Sequence, residues 1–311
     1  METDQPIIET RDLTRDYKEI KAVVSLDVSI QSGELFGLVG PDGAGKTTTL
    51  RLLAGLLDIS DGSAIIAGFD LASQAEEIKS KIGYMAQQFS LYAELTVVEN
   101  LLFFADLYDV DTSVLGERMN RLLAFAGLTD FKKRRADKLS GGMQKKLALV
   151  CSLIHEPEIL LLDEPTTGVD PISRREFWNI LTELHLRGTT IVVSTPYMDE
   201  ADRCSRVGLM FEGKMIMCDE PRQIKKAVEG DLIIIRPDDW QKAYKLVNTL
   251  RGIHEVQTYG GSLHMIVDDA QKRLPEIQKA FKKMNMSYKD ARQAPTRMEE
   301  VFISLIKRME E

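Results

Sequence analysis

The sequence has little cysteine, no long apolar run and no N-terminal targeting pattern, and each absence excludes a class of protein. Its 3 cysteines, Cys151, Cys204 and Cys218, give neither an even disulfide framework nor a metal-ligand spacing, and each lies in a mainly apolar stretch. No apolar run approaches the roughly 20 residues of a transmembrane helix. Residues 1–10 carry acids and a proline where a signal peptide would be basic and then apolar. We therefore expect a reduced, cytoplasmic protein that reaches the cell membrane only through another protein.

The sequence also has no excess of basic over acidic residues. The 311 residues include 40 lysines and arginines against 48 aspartates and glutamates, which gives a formal net charge of −8. Proteins that bind nucleic acid draw their affinity from clustered basic side chains, so we expect no nucleic-acid partner. The length suggests about two domains with enough chain for a hydrophobic core.

A glycine-rich loop follows the apolar segment Leu35–Val39 and precedes a helical pattern that begins at Thr48. Glycines let the backbone curl so that successive N–H groups point at a phosphate, and the positive end of the helix dipole points there too. In such a loop the lysine reaches the β- and γ-phosphates and the next hydroxyl ligates Mg²⁺. A simple glycine-rich turn is the alternative, but the strand–loop–helix context favours a nucleoside triphosphate site. The residues of this predicted site are Gly40, Pro41, Asp42, Gly43, Ala44, Gly45, Lys46, Thr47 and Thr48.

The first two thirds of the chain contain strand-like apolar runs between helical patterns. Such runs, flanked by helices, are typical of buried parallel strands in an α/β sheet, in which ligands collect at the carboxyl ends of the strands. The runs lie at residues 35–39, 159–162 and 190–194, and two shorter strand-like segments lie at 7–10 and 23–30. The pattern therefore predicts an α/β fold of the P-loop NTPase type with a parallel sheet.

Strand patterns are almost absent from residues 88–156. Helical periodicity recurs there at 97–107, 115–126 and 143–154. We interpret this stretch as a helical subdomain inserted into the nucleotide-binding core, and we assign residues 1–224 to one domain.

After Pro221 the pattern changes to strand, helix, hairpin, helix and strand, and an amphipathic helix follows at 298–309. This order matches a split βαββαβ unit, so we predict a small C-terminal α+β domain of the ferredoxin-like type over 225–311. His254 and His264 are read there as ordinary strand or turn residues. The sequence shows no clustered ligands in this region, and we assign the domain an accessory or regulatory role.

The apolar segment Ile159–Leu162 ends in two adjacent acids. Asp163 is placed to hold the hydration shell of Mg²⁺ beside Thr47, and Glu164 to accept the proton of the water that attacks the γ-phosphate. Solvated acids at a strand end are the alternative, which the neighbouring phosphate loop disfavours.

Ser140, Gly141 and Gly142 stand immediately before the third helical pattern of the subdomain. A serine and two glycines at a helix start expose N–H groups and a hydroxyl to an anion. Taken alone, the same residues are weak evidence for an anion site and are more often an ordinary N-cap with a flexible lead-in.

These motifs together resemble the nucleotide-binding subunits of ATP-binding cassette transporters over residues 7–220. The resemblance implies that ATP and Mg²⁺ are bound, and that the Leu139–Gly142 signature closes over the γ-phosphate held by a second subunit in a homodimer or heterodimer. It also implies that Tyr17 stacks on adenine, that Gln87 takes part in catalysis by linking the metal to the membrane partner, and that Asp170 lies at the dimer interface. Without the resemblance, Tyr17 would be an ordinary aromatic and Gln87 a loop amide.

Within that family, the stretch after Gln87 and the region 294–302 are similar to subunits of bacterial drug and antibiotic exporters. In such systems an integral-membrane permease supplies the pathway. Phe89, Leu91 and Tyr92 are then expected to be exposed and to contact a cytoplasmic helix of that permease. A loop packed on its own helical subdomain is the alternative.

One position departs from the family pattern. Where the family has a histidine that contacts the γ-phosphate, this chain has Pro196, which offers no side-chain donor and no N–H. Losing one such donor typically costs about 10² to 10³ in rate, so we expect a slow ATPase or one that pairs with a complete second subunit. Asp42, where asparagine is more usual, is expected to have a modest effect on affinity.

The leading interpretation is thus an ATPase that powers a membrane exporter by ATP-driven dimerisation. A nucleotide-gated regulatory clamp, or a non-catalytic partner of a second ATPase subunit, is the alternative, favoured by Pro196 and opposed by Glu164. Cassette proteins that act on DNA or ribosomes usually carry a coiled-coil insertion or two cassettes with basic arms, and the acidic balance disfavours them.

Overall fold

The computed structural model describes residues 5–88, 90–227 and 230–310, and the chain divides into two compact units after Glu220. The boundary predicted from the sequence, after residue 224, falls inside a short helix, Pro221–Lys226. Proline suits the first turn of a helix because its missing N–H would have no acceptor there.

The first unit contains ten strands in two sheets. In chain order the strands are β1 (Ile8–Tyr17), β2 (Ile20–Ile30), β3 (Leu35–Val39), β4 (Asp61–Ile66), β5 (Phe69–Asp70), β6 (Ile82–Met85), β7 (Ile159–Asp163), β8 (Thr190–Thr195), β9 (Arg206–Phe211) and β10 (Lys214–Asp219). One sheet has the order β10-β9-β3-β8-β7-β6, and all of its pairs are parallel except β9 with β10. The predicted parallel sheet is therefore confirmed.

The other sheet is antiparallel, with the order β2-β1-β4-β5. Its first two strands extend beyond the segments predicted from the apolar pattern, which covered residues 7–10 and 23–30. Register shifts at Thr10, Leu13 and Arg15 interrupt the alternation of buried and exposed residues, so the pattern loses its period while the pairing continues.

The helices of the first unit are α1 (Lys46–Leu53), α2 (Ala75–Lys81), α3 (Val97–Leu107), α4 (Thr112–Phe125), α5 (Gly141–Ser152) and α6 (Pro171–Leu186), and a 3₁₀ segment covers Met198–Arg203. Between residues 88 and 156, leaving aside residue 89, the structure describes helices and one isolated bridge from Thr96 to Arg135. The predicted helical subdomain is present, and α3 has the predicted bounds because Thr96 and Glu99 form a capping box at its start.

The core of the first unit lies against β3 and α1. All five residues of β3 are buried, and Leu50, Leu52 and Leu53 of α1 pack into the same cluster as Phe36. Burial of this strand and helix fixes the loop between them, which carries the glycine-rich motif.

The second unit has a four-stranded sheet and four helices among its described residues. Its elements are α7 (Pro221–Lys226), β11 (Asp231–Pro237), α8 (Trp240–Val247), β12 (Ile253–Tyr259), β13 (Ser262–Val267), α9 (Ala270–Lys283), β14 (Tyr288–Ala294) and α10 (Met298–Glu310). The sheet order is β12-β13-β11-β14 with antiparallel neighbours, which is the arrangement of a split βαββαβ unit. In neither unit is any described helix long and apolar enough to cross a bilayer.

Candidate functional site

The glycine-rich loop is shaped by two positions that no larger residue could occupy. Gly45 caps α1 with a φ of +100°, and a Cβ there would lie 2.4 Å from the carbonyl oxygen of Ala22. A Cβ on Gly40 would lie 2.2 Å from the carbonyl oxygen of Met210. Both glycines are therefore required by close backbone contacts. The first N–H groups of α1, which directly follows this loop, have no acceptor within the helix.

The loop forms one wall of an open pocket of about 470 Å³. Its lining brings together the loop, Glu164, which follows β7, and Gln87, which was predicted to link the metal to the membrane partner. The lining residues are Ile20, Lys21, Ala22, Asp42, Gly43, Ala44, Gly45, Lys46, Thr47, Thr48, Gln87, Glu164 and Glu212. Four of these residues were not predicted from the sequence, because the β1–β2 hairpin and the β9–β10 turn bring them to the pocket: Ile20, Lys21, Ala22 and Glu212.

Lys46 lies at the centre of the loop. Its Nζ donates to the carbonyl oxygens of Gly40 (2.8 Å) and Pro41 (2.9 Å) and lies 3.3 Å from Oε1 of Glu164. The side chains of Lys46 and Glu164 are 3% and 5% exposed. The ammonium is thus enclosed by the loop and pairs directly with an acid, so it supplies a fixed positive charge where a phosphate would lie.

Asp163 is the last residue of β7, and only one oxygen of its carboxylate accepts hydrogen bonds from the described residues. Its Oδ1 accepts from Oγ1 of Thr47 (2.9 Å) and from Oγ of Ser194 (2.8 Å), while Oδ2 is buried without a hydrogen bond from any described residue. Burial raises the pKa of Asp163, the hydroxyl hydrogen bonds lower it, and the charge of Glu164 raises it again. A buried oxygen without a partner next to a threonine hydroxyl fits the hard oxygen ligands that Mg²⁺ prefers.

Glu164 follows β7 in a strained backbone conformation, with a φ of +44°. Its N–H donates to Oγ of Ser194 (2.9 Å), and its Oε2 accepts from Nε2 of Gln87 (2.8 Å) and from Oγ1 of Thr167 (3.2 Å). A left-handed glutamate is uncommon and persists where the surrounding structure holds it, as happens at functional sites. The predicted acid and the predicted glutamine are therefore in direct contact.

Lys145 of α5 was not anticipated from the sequence. Its Nζ donates to the backbone carbonyl of Gln87 (2.7 Å), which ties the helical subdomain to the loop that carries Gln87. Burial lowers the pKa of Lys145, and the charges of Asp163 and Glu164 raise it. A basic residue three positions after the signature motif was the only sequence signal for it.

The signature residues do not line this pocket. Ser140 is the N-cap of α5, and its side chain accepts from the N–H of Met143 at 3.3 Å. Ser140 and Gly141 are exposed, whereas Gly142 is buried and a Cβ there would lie 2.6 Å from the side chain of Ser173. The N-cap anticipated as an alternative is present, and the exposed serine and glycine remain free to meet an anion outside this subunit's own pocket.

Two further residues implied by the resemblance lie outside the pocket lining. Tyr17 ends β1 at the hairpin turn beside Ile20, is partly exposed, and has the guanidinium of Arg15 4.8 Å from its ring centroid. Asp170 is the N-cap of α6, and its Oδ1 accepts from the N–H groups of Ile172 and Ser173.

The expected permease contact after Gln87 needs a correction. Phe89 lies outside the described residues. Leu91 was expected to be exposed but is only 9% exposed, because the loop packs on the helical subdomain. There Asn100 binds the backbone of Tyr92 through its side-chain oxygen (3.0 Å) and nitrogen (3.1 Å). Tyr92 is 49% exposed and packs edge-on against Phe103, with ring centroids 4.5 Å apart.

Pro196 follows β8 at the position anticipated for a missing donor. The carbonyl oxygen of Thr195 accepts from the N–H of Gly40 at 3.3 Å, so the segment borders the phosphate loop. No histidine lies among the pocket-lining residues. His155 stacks on Tyr108 with ring centroids 3.8 Å apart.

The two histidines of the second unit occupy strands, as expected. His254 is exposed on β12. His264 of β13 is buried, and its Nδ1 lies 2.8 Å from Oε1 of Glu300, whose pKa is lowered by the hydrogen bond and charge of His264 against the opposing effect of burial. The cysteines are free, and burial raises the thiol pKa of Cys151 and Cys204.

Comparison with known proteins identifies relatives of this arrangement. A family model described as ABC transporter matches residues 23–167. The chain is 41% identical over 227 residues to the probable multidrug ABC transporter ATP-binding protein YbhF of Escherichia coli K12, covering 73% of this chain but only 39% of that relative. It is 33% identical over 298 residues to the daunorubicin resistance ATP-binding protein DrrA2 of Streptomyces coeruleorubidus, covering 94% of this chain and 92% of that one.

A solved structure agrees with these sequence relatives. The dimeric, post-hydrolysis ATP-binding cassette MJ0796 bound to ADP and Pi superposes with a TM-score of 0.63 and 27% identity. The superposition covers 68% of this chain and 98% of that chain.

Proposed function

The chain belongs to the ABC transporter family of ATP-binding cassettes, and from this premise we propose that it is an Mg²⁺-dependent ATPase subunit that powers a membrane exporter. Drug-resistance and multidrug proteins among its relatives support the exporter assignment. The permease would be a separate integral-membrane protein, with this subunit on its cytoplasmic side.

The proposal depends most on the carboxylate of Asp163, because only one of its two oxygens accepts hydrogen bonds from the described residues. One of its oxygens holds Thr47 and Ser194, and the other is buried without a hydrogen bond from the described residues. Thr47 belongs to the phosphate loop, so the carboxylate of Asp163 is bonded to the loop that would hold a triphosphate. Thr47, Asp163 and Gln87 would hold Mg²⁺, which when bound neutralises phosphate charge.

The roles of the surrounding residues follow from their positions. The N–H groups at the start of α1 would bind phosphate oxygens together with the Lys46 ammonium. Glu164 pairs with Lys46 in the pocket, and a hydrogen bond from Gln87 orients its carboxylate. It would therefore take the proton from the attacking water. The backbone carbonyl of Gln87 also accepts a hydrogen bond from Lys145. A movement of the helical subdomain would therefore be transmitted through Gln87 to Glu164.

We propose that two subunits close around two nucleotides. The signature residues Ser140 and Gly141 are exposed and lie outside this subunit's own pocket, which fits an anion supplied by a second chain. The dimeric state of the related MJ0796 cassette supports this arrangement. Tyr17, beside the pocket residue Ile20, would stack on adenine.

We also propose that hydrolysis is weakened. Pro196 stands beside Thr195, whose carbonyl holds the phosphate loop, and it brings no donor to the transferring phosphoryl group. The same residue supports a second candidate function, a nucleotide-gated clamp or a non-catalytic partner of another ATPase subunit. In either case the second unit would stabilise or regulate the dimer.

The test is to measure Mg²⁺-ATP binding, dimerisation and phosphate release on one preparation of the full chain. A fluorescent ATP analogue reports binding, light scattering reports mass, and Asp163→Asn serves as the variant that removes the metal ligand. Binding, ATP-dependent dimers and slow turnover, all lost in Asp163→Asn, support the ATPase subunit. Dimers without any turnover support the clamp, and Mg²⁺-independent binding that survives Asp163→Asn contradicts both.

A further inference from the structure

A second buried carboxylate lies outside the pocket lining. Glu200, in the 3₁₀ segment Met198–Arg203, is 1% exposed. Its Oε1 accepts from Oγ1 of Thr166 (2.7 Å), Nε of Arg174 (2.6 Å) and Nε1 of Trp178 (2.8 Å), and its Oε2 accepts from Oγ1 of Thr195 (2.5 Å). Four donors from three different segments thus converge on one side chain.

Two of these donors belong to the chain segments that shape the pocket. Thr166 is two residues after Glu164, in the loop that leaves β7. Thr195 ends β8, its carbonyl oxygen accepts the N–H of Gly40, and its Oγ1 accepts the N–H of Tyr197 at 3.0 Å. Glu200 is therefore connected to the phosphate loop and to both neighbours of Pro196.

The other two donors belong to α6. Besides binding Glu200, Arg174 donates through Nη2 to Asp199 (2.8 Å), and its guanidinium carbon lies 4.2 Å from the ring centroid of Tyr197. Its helix begins directly after Asp170, the residue expected at the dimer interface. Glu200 consequently joins the segment around Pro196 to the helix that follows Asp170.

Packing alone does not account for this arrangement. Buried ion pairs can usually be replaced by apolar residues of similar volume without loss of stability, so a buried carboxylate is weak evidence of a stabilising role. What a carboxylate with four directional bonds provides is a single geometry for the groups that it binds. Here those groups are the loop after Glu164, the segment around Pro196 and the start of α6.

We propose that Glu200 is a positioning residue for ATP hydrolysis, which holds the loop after Glu164 and the Thr195–Tyr197 segment in the arrangement that the reaction requires. The inference rests on the ATPase function proposed above. It assigns no contact between Glu200 and the nucleotide, so it predicts an effect on turnover and none on nucleotide binding.

Glu200→Gln is the decisive variant because it keeps the size of the side chain. An amide oxygen has two lone pairs, so it can serve only two of the three donors that now bind Oε1, and the amide nitrogen presents N–H groups to the Thr195 hydroxyl, which donates in the native chain. We expect kcat to fall at least tenfold, whereas KM and the affinity for a fluorescent ATP analogue stay within threefold, since Lys46 and Thr47 are untouched.

Glu34→Gln is the matched control. Glu34 is also buried, lies 3.2 Å from Nη1 of Arg206 and accepts from the N–H of Gln31 at 2.8 Å. It precedes β3, at the end of the strand opposite to the phosphate loop. We expect this variant to lower Tm while leaving kcat within twofold.

A second readout separates failure of this inference from failure of the proposed function. The chain has 2 tryptophans, so Trp240→Phe leaves Trp178, bonded to Glu200, as the only reporter. We expect Mg²⁺-ATP to change the emission of Trp178 and Glu200→Gln to abolish that change while binding persists.

If both glutamine variants keep kcat within twofold and lower Tm alike, Glu200 is only structural and the inference is wrong. Loss of kcat together with an equal loss of affinity also contradicts it. If the native chain binds Mg²⁺-ATP without ATPase activity, the proposed ATPase function fails, and an ATP-dependent change in Trp178 emission that persists in Glu200→Gln would separately contradict the inference.

Discussion

The Nζ atom of Lys46 lies 3.3 Å from Oε1 of Glu164, and both side chains are almost completely buried. The lysine proposed to bind phosphate and the acid proposed to accept a proton are therefore in contact. An incoming phosphate would compete with the acid for the ammonium, so nucleotide binding and release of Glu164 would be one event.

Replacement of this acid gives the first prediction. Glu164→Gln keeps the shape of the side chain and a hydrogen-bond acceptor for Gln87, but it cannot take a proton at neutral pH. We expect turnover to fall by about 10²-fold or more, while binding of a fluorescent ATP analogue is retained. The measurement is steady-state phosphate release at saturating Mg²⁺-ATP.

Glu158→Gln is the control for that experiment. Glu158 precedes the same strand, β7, is exposed and pairs with Lys81 at the surface. Its replacement should leave turnover unchanged. Equal turnover in the native chain and Glu164→Gln would show that another group takes the proton.

The main features of the fold were predictable where a local signal agreed with the tertiary structure. The bounds of β3 were predicted correctly because a turn and a glycine-rich loop frame a continuous apolar run. The same holds for α3, whose capping box and periodicity coincide. Strands β6 and β9 were not predicted, because a short buried strand has no period that distinguishes it from other apolar segments.

The site residues divide in the same way. Lys46, Thr47 and Glu164 stand in motifs whose spacing carries their chemistry, and the structure brings them into one pocket. Ser194 was seen only as the end of a strand, because its bond to Asp163 spans 31 residues and exists only in the folded sheet. The burial of Leu91 was missed for a similar reason, since nothing local shows which side of a loop faces the subdomain.

The pKa of Asp163 gives a prediction for pH dependence. Burial raises that pKa above the ordinary 3.8, and the Ser194 hydroxyl opposes the rise. For a raised carboxyl pKa, the stabilising form is the protonated one, present at low pH and lost as pH rises through the folded pKa. Metal binding needs the carboxylate, so Mg²⁺-ATP affinity should fall by about tenfold per pH unit as pH drops below that pKa.

Ser194→Ala tests whether the pKa of Asp163 sets this pH dependence, because it removes a hydrogen bond that lowers that pKa. Without the hydroxyl the pKa of Asp163 should rise further, and the acid limb of Mg²⁺-ATP affinity should move to higher pH. Asp163→Asn has no titrating group at this position, so the part of the affinity decrease at acid pH that is due to Asp163 should disappear. An unchanged limb in Ser194→Ala would show that Asp163 does not control the pH dependence.

Variants of Ser140, the exposed N-cap of α5, distinguish an effect on stability from an effect on dimerisation. Aspartate caps a helix about as well as serine, whereas alanine costs about 1 kcal/mol. Ser140→Asp should therefore keep the Tm of the native chain but repel the phosphate of a second subunit, so that ATP-dependent dimers are lost. The measurement is light scattering with ATP in a Glu164→Gln background, which slows nucleotide turnover.

The controls for this experiment remove a cap without adding charge. Ser140→Ala should lower Tm, and so should Asp111→Ala, which removes the cap that accepts from the N–H of Ser113 at 2.8 Å. Asp111→Ala should dimerise normally because α4 lies outside the signature. Normal dimers of Ser140→Asp would contradict the placement of Ser140 against a phosphate.

The last prediction concerns Pro196, which stands between Thr195 and Tyr197 without a donor of its own. Both neighbours are held, since Thr195 bonds to Glu200 and to the N–H of Tyr197. A histidine at this position would therefore start from a fixed backbone and could reach the phosphoryl group. Since one such donor is worth about 10² to 10³ in rate, Pro196→His should raise turnover about tenfold or more.

Pro196→Ala distinguishes the new donor from the loss of the proline ring. It restores the N–H of residue 196 but adds no side-chain donor, so steady-state ATPase activity should stay close to that of the native chain. A similar gain in both variants would assign the effect to the backbone. No gain in Pro196→His, with a native chain that already turns over rapidly, would mean that the site compensates for the histidine and that hydrolysis is not weakened.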